Sequence, residues 1–209
     1  RPPANPSGGH PMYDFEFVKP ASLAEAVAAL GQEEAKPLGG GQTLIPTMKQ
    51  RLARPSRLVA LSGLAELVGV TTTPDAVVVK GATPHAVVAA EAAAVFPTLA
   101  DLASRIGDAA VRARGTVGGS LANNDPSACY PAAALGTGAT ITVQGPGGAR
   151  DIAADDYFQG MFTTALEEGE IVTAVSFPIP QRAAWQKFVQ PASRFSLVGV
   201  FVAQYAGGV

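Results

Sequence analysis

Two short glycine-rich segments constrain this chain more than any other feature of its sequence. Residues 39–43 (Gly39-Gly40-Gly41-Gln42-Thr43) form the first glycine segment, and residues 116–120 (Thr116-Val117-Gly118-Gly119-Ser120) form the second. Glycine has no Cβ atom, so consecutive glycines let backbone N–H groups turn toward one point and make a nest that suits a phosphate. Thr43, Thr116 and Ser120 add hydroxyl groups that can donate to phosphate oxygens. Two such segments suit a diphosphate.

The common phosphate-binding motifs are absent from both segments. Neither continues into the Gly-Lys-Ser/Thr of a P-loop, and Gly39-Gly40-Gly41 does not have the G-x-G-x-x-G spacing of a Rossmann fold. The chain contains 23 glycines, so a cluster can also mark a simple turn. Either segment taken alone is weak evidence for a ligand.

Composition excludes several classes of protein. The formal net charge of −2 offers no basic excess for nucleic acid. Cys129 is the only cysteine, so the chain has no internal disulfide and cannot ligate an iron–sulfur cluster by itself. His10 and His85 lie too far apart in sequence for a metal-ligand motif, which argues against a metal site. Without a long apolar run or a leader sequence, the expected location is cytoplasmic.

The predicted elements alternate between strands and helices in the first half of the chain. A strand at 13–18 precedes a helix that Ser22 caps, and residues 36–52 are typical of a strand, a glycine loop and a helix. Further strands are predicted at 58–61 and 77–79, with a turn or short helix between them at 63–67. Residues 1–11 are interpreted as a disordered lead or an expression remnant.

The second half combines helices with longer strands. Thr83-Pro84 predicts the start of a helix that runs to about residue 94, and Thr98 is expected to cap the next one. A short helix is expected just beyond Pro131. The predicted strands that follow are a hairpin of 140–143 with 149–152 and strands near 170–177, 184–189 and 196–205. The chain as a whole is expected to be α+β.

Residues 37–53 and 106–122 resemble the FAD-binding medium subunit of the molybdenum hydroxylases, the family of carbon monoxide dehydrogenase and xanthine dehydrogenase. The resemblance extends from about Met12 to the end of the chain. It implies a two-lobed FAD-binding domain of the PCMH type, with an N-terminal lobe at 12–70 and a second lobe at 71–182. Residues 183–209 would be the beginning of a C-terminal α/β domain, of which only the start is present.

The resemblance also implies a function. The chain would be the flavin-carrying electron-transfer subunit of a molybdenum-containing hydroxylase, with FAD as its own cofactor. A large partner subunit would hold molybdopterin and a small one [2Fe-2S] clusters, in what is expected to be a dimer of heterotrimers. Electrons would pass from the clusters to FAD and on to NAD, a quinone or oxygen. No catalytic side chain is expected in this chain, because flavin performs the redox chemistry.

The resemblance places FAD-binding residues in both glycine segments and at a few weaker positions. The implied residues are Gly39, Gly40, Gly41, Gln42, Thr43, Leu44, Ile106, Thr116, Val117, Gly118, Gly119, Ser120, Asn124, Asp125, Ile171 and Lys187. Cys129 stands where the family often has an aspartate near the adenosine of FAD, so the sequence departs from the family pattern at this position.

Several other residues permit two interpretations. Arg112 and Arg114 either neutralise phosphate or are solvated or paired with Asp108. His85 follows Thr-Pro and is expected at the surface. Cys129 is expected to be a packed thiol and not a nucleophile, and Trp185 a packing or interface residue and not a flavin-stacking one.

Two alternative functions remain open from the sequence. One is a self-sufficient FAD oxidoreductase whose own substrate meets the flavin. The other is a flavin-free assembly module whose glycine segments are relics.

Overall fold

The computed structural model describes residues 12–209, so the interpretation of residues 1–11 as a disordered lead lies outside the described residues. Throughout the described range, every helix is too short or too polar to cross a membrane.

The first part of the chain is a small parallel sheet with two helices. Its strands, in the spatial order β1-β3-β2, are β1 (Glu16–Val18), β2 (Ala35–Leu38) and β3 (Arg57–Ala60). Helix α1 (Leu23–Leu30) begins as predicted, because the Ser22 hydroxyl accepts a hydrogen bond from the Glu25 amide at 3.2 Å. Helix α2 (Leu44–Lys49) follows the first glycine segment, which leaves the carboxyl end of β2. The predicted strand–loop–helix unit is confirmed.

A five-stranded antiparallel sheet forms the centre of the molecule. Its spatial order is β4-β5-β10-β6-β7, with β4 (Val70–Thr72), β5 (Ala76–Lys80), β6 (Thr140–Gly145), β7 (Gly148–Ala153) and β10 (Ile171–Pro178). The predicted hairpin is present and turns at Pro146-Gly147. Two further hairpins are built from β8 (Phe158–Gly160) with β9 (Thr163–Thr164), and from β11 (Arg182–Val189) with β12 (Ser196–Gln204).

Helices accompany the large sheet: α3 (His85–Glu91), α4 (Pro97–Ser104), α5 (Ala109–Arg114), α6 (Val117–Asn123), α7 (Tyr130–Thr137) and α8 (Ala154–Tyr157). Both predicted helix caps in this region are wrong. The Thr83 hydroxyl bonds to Gly69 instead, with its oxygen 3.0 Å from the carbonyl oxygen of that residue. Thr98 lies inside α4 and donates to the carbonyl of Ala183, 3.1 Å away, which attaches β11 to this helix.

The second glycine segment is the start of a helix and not an open loop. Thr116 caps α6, its hydroxyl accepting from the Gly119 amide at 3.1 Å, so Gly118 and Gly119 lie in the first turns of a helix. A side chain at position 118 would come within 2.7 Å of the Gly81 carbonyl oxygen. Glycine at this position therefore allows close packing of α6 on the chain just after β5.

Buried side chains form two clusters. The larger one lies between the five-stranded sheet and its helices and includes Trp185 and Cys129, both 4% exposed, as expected for packed side chains. The smaller one, around Leu30, Val59 and Leu67, supports the parallel sheet. The first glycine segment follows a strand of the parallel sheet, and the second begins a helix that packs on the five-stranded sheet. Whether the two segments can bind one ligand therefore depends on how close they lie to each other.

Candidate cofactor-binding site

The first glycine segment packs against the residues that lead into the second one and against the Thr116 side chain. A Cβ atom at position 40 would overlap the carbonyl group of Arg114 and lie 2.7 Å from the Cα atom of Gly115. One at position 39 would lie 2.7 Å from the hydroxyl oxygen of Thr116. We call this contact between residues 39–40 and 114–116 the loop junction. It forms only because neither position 39 nor position 40 carries a side chain.

A cavity of about 650 Å³ opens at the loop junction. This volume is within the range of small-molecule and cofactor sites. Fourteen of the predicted positions line it: Gly39, Gly40, Gly41, Gln42, Thr43, Leu44, Ile106, Thr116, Gly118, Gly119, Ser120, Asp125, Ile171 and Lys187.

Two predicted positions do not line the cavity. Val117 is completely buried in the larger core cluster. Asn124 has a left-handed backbone with φ of 42°. Its side-chain amide donates to the carbonyls of Gly160 and Thr163, at 2.7 and 2.9 Å, and so holds the β8–β9 hairpin.

The first glycine segment supplies free backbone donors. Among residues 12–209, no hydrogen bond uses a backbone amide of residues 39–44 as its donor, although the Gln42 side-chain amide donates to the Gly40 carbonyl at 3.2 Å. Gly41 has φ of 70°, a left-handed conformation that glycine adopts without strain. A run of such amides can bind an anion.

The second segment differs from the expected nest, because four of its five backbone amides, those of residues 117–120, already donate hydrogen bonds within the protein. Val117 donates to Thr83, Gly118 to the Gly81 carbonyl at 2.8 Å, and Ser120 to Thr116. What it presents to the cavity is therefore its hydroxyl groups, on Thr116 and Ser120, and the bare surface of Gly119. The prediction that amides from both segments converge is wrong for the second segment, although the segments themselves do converge.

Most charged groups around the cavity have partners within the protein. Glu170 forms an ion pair with Arg150, whose Nε lies 2.7 Å from a carboxylate oxygen, and the hydrogen bond from Arg150 lowers the pKa of Glu170. The Lys187 ammonium donates to the Arg105 carbonyl at 2.9 Å. Arg112 donates to the carbonyls of Ile106 and Gly107, at 3.2 and 2.9 Å, so it shapes this turn.

The expectation that His85 lies at the surface is wrong. His85 is 4% exposed, lines the cavity, and its Nδ1 atom has no hydrogen-bond partner among the described residues. Burial, reinforced by the nearby Arg112 guanidinium, lowers the pKa of His85 to about 4. The imidazole is therefore neutral at physiological pH.

Sequence reasoning missed other cavity residues, which come from several distant elements. They include Lys36, Gly81, His85, Cys129, Glu170 and the tip of the last hairpin at 193–195. Of these residues, only Cys129 could have been found from the sequence, because it departs from the family pattern. The hairpin tip reaches the cavity only through tertiary packing, which no local pattern indicates.

The residues present fit a dinucleotide. Free amides at the first segment suit a diphosphate, while Leu44, Ile106 and Ile171 provide apolar surface for ring systems. The fold and the cavity are thus those of an α+β nucleotide-binding domain, with the cavity lined by residues from the small parallel sheet and from the larger antiparallel one.

The comparisons with known proteins identify its family. Residues 13–180 match the family described as the FAD binding domain in molybdopterin dehydrogenase, and the chain belongs to this family. It is 42% identical over 170 residues to the carbon monoxide dehydrogenase medium chain of Afipia carboxidovorans, a match that covers 79% of this chain and 59% of that one. The glyceraldehyde dehydrogenase medium chain of Sulfolobus acidocaldarius is 34% identical, with 91% and 69% covered.

A solved structure has the same fold. Quinoline 2-oxidoreductase from Pseudomonas putida 86 superposes with a TM-score of 0.87 at 31% identity, over 91% of this chain and 68% of that chain. The chain spans about three fifths of the length of the carbon monoxide dehydrogenase medium chains that it matches, 59% and 61%.

Proposed function

We propose that this chain binds FAD at the loop junction. The amides of the first glycine segment would hold the diphosphate, and Thr116 and Ser120 would add hydroxyl donors from the second. The observation that carries this proposal is the backbone contact between residues 39–40 and 114–116 at the mouth of one cavity. Two segments that touch can bind one diphosphate together.

The bound cofactor would make this chain the electron-transfer subunit of a molybdenum-containing hydroxylase. FAD supplies the ability to accept electrons from [2Fe-2S] clusters and to pass them to NAD, a quinone or oxygen. The protein's part is to bind and orient. Ile106 and Ile171 would exclude water from the flavin rings, since both line the cavity and Ile171 is only 2% exposed. Lys187 is fixed in place by the Arg105 carbonyl.

The proposed organisation follows the sheets. The parallel sheet supports an N-terminal FAD-binding lobe at 12–70 and the five-stranded sheet a second lobe at 71–182, together a PCMH-type domain. The β11–β12 hairpin would begin a further domain at 183–209. The proposed partners are a large molybdopterin subunit and a small iron–sulfur subunit, assembled as a dimer of heterotrimers in the cytoplasm. The names of the relatives, medium chains of dehydrogenases, support this assembly.

The test is to purify the chain and record its visible absorption spectrum, then release and identify any bound nucleotide. We expect the bands of oxidised flavin and release of FAD. A colourless protein that does not take up added FAD would refute the proposal and favour a flavin-free assembly module. Co-purification from the native host with molybdopterin and iron–sulfur subunits would support the electron-transfer role. A chain that oxidised a substrate unaided would refute that role.

A further inference from the structure

Gly115, at the centre of the loop junction, touches two different neighbours. The first glycine segment is one of them, because a Cβ atom at position 40 would lie 2.7 Å from the Cα of Gly115. The His85 imidazole is the other, because a Cβ atom at position 115 would lie 2.7 Å from its Nε2 and 3.0 Å from its Cδ2. The imidazole therefore contacts the loop junction directly at Gly115, so its position can set where Gly115 lies.

The backbone of His85 is also tied to the second glycine segment. Its amide donates to the Gly115 carbonyl at 2.9 Å, Pro84 pairs with Thr116, and the Val117 amide donates to Thr83 at 3.2 Å. Three backbone contacts thus tie the start of α3 to the start of α6. A shift of Gly115 away from His85 would break these bonds.

Packing, not hydrogen bonding, holds the imidazole in place. The Nδ1 atom has no partner among the described residues, and the ring is uncharged because of its burial. The ring packs against Tyr130, with the ring centroids 5.4 Å apart, and Tyr130 is fully buried in the larger core cluster. Because a close-packed core leaves little room to yield, Tyr130 prevents the imidazole from retreating.

We propose that His85 is a positioning residue of the cofactor site, whose imidazole, acting through Gly115, sets the distance between the two glycine segments. This inference rests on the proposed FAD site. A smaller side chain at 85 would let Gly115 and Thr116 move away from the first segment, whereas a Cβ atom at 115 would push Gly115 away from the imidazole and against the first segment. In both cases the hydroxyl of Thr116 would leave its place beside Gly39.

The test is a double-mutant cycle on FAD binding by the whole chain. We expect His85→Ala and Gly115→Ala each to raise the Kd for FAD at least about tenfold, since the first removes the imidazole ring from this contact and the second adds a methyl group to it. The double variant His85→Ala/Gly115→Ala should recover to within roughly threefold of the wild type, because the new methyl group enters the space left by the imidazole. Visible circular dichroism of the bound flavin should change in the single variants and recover in the double variant.

Val88→Ala is the matched control. Val88 is fully buried in the same helix and is not among the residues lining the cavity. It should lower the melting temperature and leave the Kd unchanged. Should His85→Ala fail to fold, Gly115→Ala and the double variant still decide the matter.

The possible failures are distinguishable. A wild-type chain that binds no FAD overturns the proposed function and this inference with it. If the wild type binds FAD and the single variants have the same Kd, the inference is overturned and the proposed function stands. The same holds if the double variant binds FAD more weakly than either single variant.

Discussion

Gly40→Ala should separate the two glycine segments and weaken FAD binding more than any other single methyl group added in the first segment. The added Cβ would overlap the Arg114 carbonyl and lie 2.7 Å from the Cα of Gly115, where ordinary contacts begin at about 3.4 Å. Both neighbours are backbone atoms, which cannot turn aside as a side chain can. The first segment must therefore move by at least about 0.7 Å to relieve the contact with Gly115 alone.

The size of the effect follows from two contributions. Inserting a methyl group into a packed contact costs on the order of 1–3 kcal/mol. Moving the amides of residues 39–44 also weakens their hydrogen bonds to a charged diphosphate, each worth about 1.5–3 kcal/mol. Since 1.4 kcal/mol corresponds to a tenfold change in Kd, the first contribution and the loss of one bond together raise the Kd at least about 60-fold.

The assay is titration of the apo-chain with FAD, followed by flavin fluorescence. Gly63→Ala is the control, because a Cβ atom there would meet nothing within 4 Å. Its Kd should stay within about twofold of the wild type, as expected for a surface substitution that touches nothing. If Gly40→Ala, shown by circular dichroism to be folded, also binds within threefold of the wild type, the loop junction is not part of the FAD site.

Three further perturbations test other parts of the structure. His85 has a pKa of 6.5 in the unfolded chain and about 4 in the folded one, so between these values only the unfolded chain gains a proton at His85. The free energy of unfolding should therefore fall by ~3 kcal/mol as the pH is lowered from 6.5 to 4. Urea titrations should show a smaller fall in His85→Gln, and an identical fall would contradict the burial argument. Asn124→Ala should destabilise the chain by about 2–4 kcal/mol, because the carbonyls of Gly160 and Thr163 lose their donors and alanine is strained at φ of 42°. An unchanged melting temperature would contradict that role. A Cβ atom in Gly199→Ala would overlap the Trp185 ring, so the fluorescence of this single tryptophan should shift to the red, while an unshifted spectrum would contradict the packing of the last hairpin.

Strands were predictable from the sequence because their signals are local. Alternating or β-branched runs placed β3, β5 and the β6–β7 hairpin close to their observed positions. The helix caps at Thr83 and Thr98 failed for a common reason. Each hydroxyl bonds to a carbonyl that is distant in sequence, Gly69 or Ala183, so a tertiary contact outcompeted the local capping pattern.

The candidate site was predictable in outline and not in detail. Glycine runs and the family resemblance indicated most of the residues that line the cavity. They did not indicate His85, because its burial depends on packing between Gly115 and Tyr130. Nor did they separate Val117 from its glycine neighbours, since a residue in the first turn of a helix can face the core while the next ones face the ligand.

The two glycine segments need glycine for different physical reasons. In the first, glycine leaves amides free and permits the left-handed turn at Gly41, so the backbone itself provides the donors. In the second, the amides serve the fold, and Gly118 is needed so that α6 can approach Gly81 closely. This close approach brings Thr116 to the edge of the first segment, where its hydroxyl can act. In the proposed site the first segment would supply backbone donors, and the second would supply the hydroxyls of Thr116 and Ser120 at a position that Gly118 makes possible. Both uses of glycine depend on the absence of a Cβ atom.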